Sequence, residues 1–144
     1  MSRRPRTIYL VQCVSRKLSR PTSARDLYCS PWFLKARAFV EAQKTSWFIL
    51  SGKYGIVAPN TFLRPYNVTL NNMNARRRRA WAQMVTSRLR RHCRAGDRVV
   101  LLAGYAYREH LEDRLRLWGC RLETPMARLG IGQQLRWLSR RLRF

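Results

Sequence analysis

Three short apolar runs, each followed by a helical pattern, limit what this chain can fold into. The runs are residues 8–14, 47–50 and 99–103, and they are rich in β-branched side chains. Runs of this length bounded by polar or glycine residues predict buried strands. Strands that alternate with amphipathic helices favour a mainly parallel sheet. The sequence therefore predicts a single α/β domain. With a weaker strand over residues 120–126, its central sheet has about four strands and carries helices on both faces.

Capping residues predict where the helices begin and end. Ser30 followed by Pro31 is typical of a helix start, and Asn74 and Gly130 stand before two further apolar stripes. Gly119 is placed to end the helix after the third strand. The chain of 144 residues suits one domain, which we expect over residues 8–144 after a basic tail over residues 1–7. A long loop is predicted before Asn74.

The charge of the chain indicates its class of partner. There are 30 Lys and Arg against 7 Asp and Glu, which gives a net charge of +23. A polyanion relieves the resulting repulsion through phosphate contacts, so nucleic acid is the first expectation and an anionic membrane surface the second. The longest apolar stretches are too short for a membrane span, and the first residues lack the apolar run of a signal peptide. We therefore expect a cytoplasmic protein that binds nucleic acid and no membrane.

The cysteines and glycines argue against metal and nucleotide cofactors. Cys13, Cys29, Cys93 and Cys120 lie far apart, without the paired spacing of a zinc site. The sequence contains neither of the glycine-rich patterns that bind nucleotide phosphates, G-x-G-x-x-G and G-x-x-x-x-G-K-S/T. The sequence predicts reduced thiols, no bound metal and no cofactor.

Polar side chains follow the predicted strands at the edge where α/β sheets bind ligands. The turns after the first and second strands are rich in hydroxyl, amide and basic groups, and aromatic and amide side chains recur in the long loop. Such groups can hold phosphate, stack a base or read its edge. They also fit a basic turn, a cover over the core or a helix start. The candidate substrate-binding residues are Gln12, Cys13, Ser15, Arg16, Lys17, Tyr28, Ser51, Tyr54, Tyr66, Asn71, Asn72, Arg108 and Gln133.

Carboxylates are scarce, and Asp26 is the first candidate for a catalytic one. Most of the others lie in predicted helices or turns beside arginines. Asp26 instead lies in the loop after the first strand, just ahead of the Ser30 cap. A local turn or capping role has similar weight for it.

Several of these segments resemble a known group of domains. They read S-R-K, D-L-Y-x-S-P-x-F-x-K-A-R, F-I-L-S-G-K-Y-G, R-P-Y-N-V-T-L and G-I-G-Q-Q-L-x-W-L, and they cover about residues 8–138. As a set they are similar to YaaA-like and archaeosine-synthase-like domains of bacteria and phages. The resemblance implies an α/β fold and modified-base chemistry on DNA or tRNA. It extends to anti-phage DNA glycosylases that remove glucosylated hydroxymethylcytosine. Many members of the group carry Asp where this chain has Asn67.

The leading hypothesis is a metal-independent DNA glycosylase that flips and excises a modified cytosine. Asp26 would supply the carboxylate, Asn67 would orient water or substrate, and Lys53 could instead form a Schiff base with the sugar. A non-catalytic DNA- or RNA-binding module and a tRNA base-exchange or base-modifying enzyme are the alternatives. The arginines expected on the DNA backbone are Arg76, Arg77, Arg78, Arg79, Arg88 and Arg91.

Overall fold

The computed structural model of the protein describes residues 4–142. Its strands are β1 (Thr7–Gln12), β2 (Thr22–Ser23), β3 (Trp47–Ser51), β4 (Gly55–Val57), β5 (Phe62–Leu63), β6 (Arg98–Leu102) and β7 (Arg121–Glu123). Its α-helices are α1 (Ala24–Leu27), α2 (Pro31–Ala42), α3 (Ala75–Leu89), α4 (Tyr105–Trp118) and α5 (Ile131–Arg141). A single 3₁₀ turn, Leu70–Asn72, precedes α3.

The main sheet has five strands in the order β4-β3-β1-β6-β7. All neighbours are parallel except β4, which returns antiparallel to β3 with Ser51 opposite Gly55. The predicted α/β class is confirmed, and the sheet is mixed because β3 and β4 form a hairpin inside the predicted long loop. Gly55 has a φ of 81°, which glycine adopts without the steric cost that a side chain brings. β2 and β5 form a separate two-stranded ribbon.

The helices cover both faces of the sheet. From β1 the chain crosses to β3 through α2, and from β6 it crosses in the opposite direction to β7 through α4. Parallel crossovers are right-handed, so these two helices lie on opposite faces. α5 packs beside α2 and α3 packs beside α4, which completes the two layers. The core is made of the β1, β3 and β6 side chains and the apolar stripes of these helices.

The capping predictions are confirmed. Ser30 Oγ accepts a hydrogen bond from the Phe33 N–H at 3.1 Å, with Pro31 in the first turn. Asn74 Oδ1 accepts from the Arg77 N–H at 2.9 Å. Gly119 ends α4 with a φ of 97°. Each cap satisfies backbone groups that a helix end leaves unpaired.

The ordered fold begins earlier than predicted. The Arg6 N–H donates to Asp97 Oδ1 at 3.0 Å, and the Arg6 carbonyl accepts from the Arg98 N–H at 2.8 Å. Thr7 already belongs to β1. The predicted tail over residues 1–7 is therefore too long at its inner end, and residues 1–3 lie outside the described part of the chain.

Residues 4–142 contain neither a membrane-spanning helix nor a cluster of metal ligands. No helix there is long and apolar enough to cross a bilayer. No group of three or more His, Cys, Asp or Glu side chains there is arranged to hold a metal ion.

Candidate functional site

A cleft opens at the carboxyl ends of the parallel strands. β1 is central, with β3 on one side and β6 on the other. The chain crosses from β1 to β3 in one direction along the sheet and from β6 to β7 in the other. This reversal is the point where open α/β sheets leave room for a ligand. Two adjoining cavities lie there, and both include Gln12, Val14 and Ser15 in their walls.

The first of these, called here the polar cavity, has a volume of about 420 Å³. It is rich in amide, hydroxyl and basic groups from the β1 loop and the segment before α3. Its walls are Gln12, Cys13, Val14, Ser15, Lys17, Asn67, Val68, Thr69, Asn71, Asn72 and Tyr107. Six of the predicted substrate-binding residues and the predicted Asn67 therefore meet in one place.

The second, called here the apolar cavity, has a volume of about 490 Å³. Aromatic and aliphatic side chains of α2 and α5 form much of it. Its walls are Gln12, Val14, Ser15, Arg16, Ser30, Pro31, Trp32, Gly104, Ile131, Gln134 and Leu135. The predicted Arg16 lies here. Sequence reasoning missed Trp32 because it assigned this residue to the apolar stripe of a helix. It missed Gln134 because it chose the neighbouring Gln133 instead.

Gln12 fixes the wall that the two cavities share. Its side-chain Oε1 accepts from the Gly104 N–H at 2.6 Å, which ties the end of β1 to the start of α4. A Cβ on Gly104 would lie 3.2 Å from that oxygen, so the close approach favours glycine. The Gln12 amide nitrogen remains available to a ligand.

A hydroxyl network holds Tyr66 behind the polar cavity. Buried Ser51 Oγ accepts from the N–H groups of Lys53 and Tyr54 at 3.2 and 3.0 Å. Both of its lone pairs are then used, so its own proton donates to Tyr66 Oη at 2.7 Å. Tyr66 Oη also pairs with Tyr28 Oη. Burial raises the pKa of both phenols well above the ordinary value, so they stay protonated.

This network changes the interpretation of four predicted residues. Tyr28 and Ser51 are fully buried, and neither lines a cavity. Tyr66 and Tyr54 pack edge to face with ring centroids 5.4 Å apart, and they too stand outside the cavity walls. The structure therefore contradicts direct substrate binding by Tyr28 and Ser51, because their polar groups are spent on positioning Tyr66 and the turn after β3.

Tyr107 is the main wall residue that sequence reasoning assigned to packing alone. Its buried hydroxyl lies 3.6 Å from Cys13 Sγ and 3.4 Å from Thr69 Oγ1, and it accepts from the Leu70 N–H at 3.3 Å. Burial raises the pKa of Tyr107 to about 12. Tyr107 thus anchors the 3₁₀ turn that presents Asn71 and Asn72.

Lys17 reaches the polar cavity beneath the tyrosine rings. Its Nζ lies 4.6 Å from the centroid of the Tyr66 ring and 5.6 Å from that of Tyr28, and it donates to the Ser15 carbonyl at 3.3 Å. Burial lowers the pKa of Lys17 and outweighs the opposite effect of the Cys13 and Cys29 thiols.

The predicted Lys53 lies outside both cavities. Its side chain is exposed, with Nζ 5.2 Å from the Tyr54 ring centroid. The turn that carries it is held by Ser51, and Lys53 Nζ also lies 6.0 Å from the centroid of the Tyr66 ring. The structure contradicts Lys53 as an amine inside this cleft.

Asp26 is also outside the cleft, and its partners explain it. Its carboxylate accepts from Ser23 Oγ at 2.8 Å, from Arg25 Nη1 at 2.8 Å and from Arg37 Nη1 at 3.1 Å. The side chain is 45% exposed and lines neither cavity. Asp26 therefore lies apart from the residues that line the cleft. Its hydrogen bonds to Ser23, Arg25 and Arg37 give Asp26 a local structural role.

Two further predicted contacts are occupied elsewhere. Arg108 donates to the Ala103 carbonyl at 2.9 Å and to Glu112 Oε1 at 2.7 Å, and it lines neither cavity. Gln133 Oε1 accepts from the Gly130 N–H at 3.0 Å, which makes it a cap of α5. Its neighbour Gln134 faces the apolar cavity instead, and its Oε1 accepts from Trp32 Nε1 at 2.9 Å.

Along the chain, the basic face of α3 follows the segment that lines the polar cavity. Exposed arginines follow Asn72 and the Asn74 cap within a few residues, and they continue along the helix. The members of this basic face are Arg76, Arg77, Arg79, Arg88 and Arg91. Arg88 also donates to the Tyr54 carbonyl at 2.8 Å.

Arg78 differs from its neighbours. Its Nε lies 2.5 Å from Glu109 Oε1 on α4, and the two side chains are 24% and 14% exposed. It also donates to the Met73 carbonyl. Arg78 thus joins α3 to α4, which leaves its charge less available to DNA than the charges of its exposed neighbours.

Comparison with known proteins identifies a family. Residues 8–140 match the model of a family of unknown function, DUF6884. No curated protein matches the chain. The resemblance to YaaA-like and archaeosine-synthase-like domains stays a prediction. Since the match covers most of the sequence, the chain belongs to DUF6884.

Proposed function

We propose that the protein is a DNA glycosylase that flips a modified cytosine out of the duplex and excises it. Glucosylated hydroxymethylcytosine is the leading substrate. One observation carries the proposal: a polar cavity large enough for a ligand is lined by the segment that leads directly into α3, whose exposed face is basic. The 3₁₀ turn with Asn71 and Asn72 belongs to the cavity, and the exposed arginines start a few residues later.

The chemistry of the cavity suits a nucleobase. Asn67, Asn71, Asn72 and Gln12 offer amide donors and acceptors that can pair with the edge of a base. The volume of about 420 Å³ falls within the range of small-molecule sites. Because the cavity opens at the sheet edge, a base must leave the helical stack to enter it.

The basic face suits the strand that surrounds a flipped base. Flipping costs a few kcal/mol, and phosphate contacts must offset this cost. Arg76, Arg77 and Arg79 are exposed, and they follow the cavity residue Asn72 along the chain by four to seven residues. Phosphates on either side of an extruded nucleotide could reach them while the base occupies the cavity.

Cleavage of the N-glycosidic bond builds positive charge on the sugar, and many glycosidases meet this charge with a carboxylate. Among the described residues that line the two cavities, none is Asp or Glu. Asn67 stands in the wall and can hold a water or a sugar hydroxyl through its amide. The attack must therefore come from water held by amides or from another nucleophile.

The test is an incubation of the full chain with matched duplexes that contain cytosine, hydroxymethylcytosine or glucosylated hydroxymethylcytosine at one position. Mass spectrometry detects the released base, and alkali reveals abasic sites as strand breaks. We expect release from a modified duplex, loss of release in Asn67→Ala and retained release in the control Asp26→Asn. Intact DNA with a shifted electrophoretic band would overturn the proposal in favour of a binding module.

A further inference from the structure

We propose that Lys17 is the nucleophile of this site and gives the protein a lyase activity. It would form a covalent imine with C1′ of the deoxyribose that carries the excised base. This inference rests on the proposed function, since it names the group that attacks the sugar. It also makes a claim about abasic DNA that can be tested without base recognition.

The use of lysine in this chain is selective. Of the 30 basic residues, the lysines are Lys17, Lys35, Lys44 and Lys53. Arginine serves equally well for phosphate contacts, but its guanidinium does not lose a proton in proteins, whereas the lysine amine does. A lysine in a ligand cavity of such an arginine-rich chain is therefore suited to chemistry that arginine cannot perform.

The positions of the four lysines single out Lys17. Lys35 Nζ donates to Ser139 Oγ on α5, and Lys44 stands in an exposed turn with a φ of 55°. Lys53 is exposed outside both cavities. Lys17 alone among them lines the polar cavity.

The surroundings of Lys17 favour the neutral amine more than water does. The side chain is half-buried, and among the described residues no carboxylate forms an ion pair with it. The faces of Tyr66 and Tyr28 attract the ammonium form, whereas burial lowers the pKa of Lys17. A lysine desolvated in this way is a recognised type of nucleophile for Schiff-base chemistry.

Among residues 4–142, none that lines either cavity is a carboxylate, so the attack on the sugar falls to another group such as the Lys17 amine. The neutral amine attacks C1′, the bond from C1′ to the base breaks, and the base leaves with the electron pair and the proton lost by the amine. The C1′–O4′ bond then opens to an iminium, and O4′ takes a proton from water. The hydroxide formed in that step takes a proton from C2′, and the 3′ phosphate leaves with the electrons of its bond to C3′. Water then hydrolyses the imine to restore Lys17.

Borohydride trapping tests this sequence, because hydride reduces the iminium to a stable amine that links protein to DNA. Wild-type protein, Lys17→Met, Lys17→Arg and the matched control Lys53→Arg are each incubated with borohydride and a duplex that carries a preformed abasic site. We expect a cross-linked band for wild type and Lys53→Arg, and its loss in both Lys17 variants. Peptide mass spectrometry should place the adduct on Lys17.

The outcomes separate this inference from the proposed function. Release of a modified base without a trapped adduct, or an adduct that persists in Lys17→Arg, would overturn the role of Lys17 and leave the glycosylase intact. An adduct on Lys17 from abasic DNA, with no base released from any modified duplex, would support the amine and overturn the glycosylase. Circular dichroism of both Lys17 variants checks that the fold survives, and Lys17→Arg retains the positive charge for DNA binding.

Discussion

Two neighbouring arginines of α3 give a sharp test of the proposed DNA interface. Arg77 is exposed on the basic face, whereas Arg78 is paired with Glu109 at 2.5 Å. Both residues are arginines in the first turn of α3, so they differ chiefly in whether the guanidinium is paired with a carboxylate. We expect Arg77→Gln to weaken DNA binding and Arg78→Gln to weaken the fold.

The magnitudes follow from the contacts. Each phosphate contact adds about 0.9 to the slope of log affinity against log salt, so Arg77→Gln should lower that slope by about 0.9. Between about 50 and 200 mM salt, this makes the loss of affinity roughly 3.5-fold smaller than in wild type. Arg78→Gln leaves the Glu109 carboxylate without its arginine, at a cost of about 1–3 kcal/mol in the free energy of unfolding.

The assay is fluorescence anisotropy of a labelled, unmodified duplex across a salt series, with thermal unfolding of the same samples. A loss of 1 kcal/mol corresponds to a fall of roughly 2–4 °C in melting temperature for a chain of this size. Arg77→Gln should melt as wild type does, because exposed substitutions usually change stability by less than about 0.5 kcal/mol. The double variant Arg78→Gln/Glu109→Gln should recover part of the stability, since no carboxylate is then stranded.

The reasoning is refuted if Arg78→Gln reduces the salt slope as much as Arg77→Gln does. It is also refuted if Arg77→Gln leaves the slope unchanged while the variant remains folded. The first result would mean that the pair with Glu109 opens on binding. The second would remove the basic face from the interface.

Three further outcomes concern the scaffold of the site. Ser51→Ala should lower the free energy of unfolding in urea by about 1–3 kcal/mol, since the Lys53 and Tyr54 N–H groups lose their acceptor; an unchanged midpoint would contradict this. The raised pKa of Tyr107, about 12, lies above the unfolded value near 10, so its contribution to stability is complete below about pH 10 and lost as pH rises towards 12. Tyr107→Phe should flatten that decline in alkaline denaturation profiles, and an equally steep decline would contradict the assignment. Gly55→Ala should lower the melting temperature, because a left-handed backbone costs a side chain about 1–2 kcal/mol; an unaltered melting temperature would show that the turn relaxes.

Local sequence signals were sufficient for the parallel part of the fold. Ser30, Asn74 and Gly119 mark helix ends because caps act on neighbouring backbone groups, and the structure confirms all three. β4 escaped prediction because a strand of three residues in a hairpin carries little periodicity. The ribbon of β2 and β5 has only two residues in each strand, so it depends on tertiary contacts that no local pattern reveals.

The candidate site was predictable as a region and less so as a set of residues. The rule for α/β sheets placed Gln12, Ser15 and Lys17 correctly, since strand ends determine which loops meet. It could not predict which polar groups would form hydrogen bonds or ion pairs within the protein and so be unavailable to a ligand. Asp26 and Arg108 carry charged groups that could act on a substrate. In the structure, however, Asp26 is bonded to Arg37 and Arg108 to Glu112.

The tyrosine network shows why residue type alone misled at the turn after β3. Ser51 uses both lone pairs on backbone N–H groups and its proton on Tyr66, so none of its hydrogen-bonding capacity remains for a ligand. Its effect on the site is indirect: it holds the Tyr66 ring whose face lies 4.6 Å from Lys17 Nζ. The aromatic face favours the ammonium form of Lys17, whereas burial lowers the pKa of its amine. Ser51 therefore acts on Lys17 through the Tyr66 ring, a contact that exists only once the fold has brought their loops together.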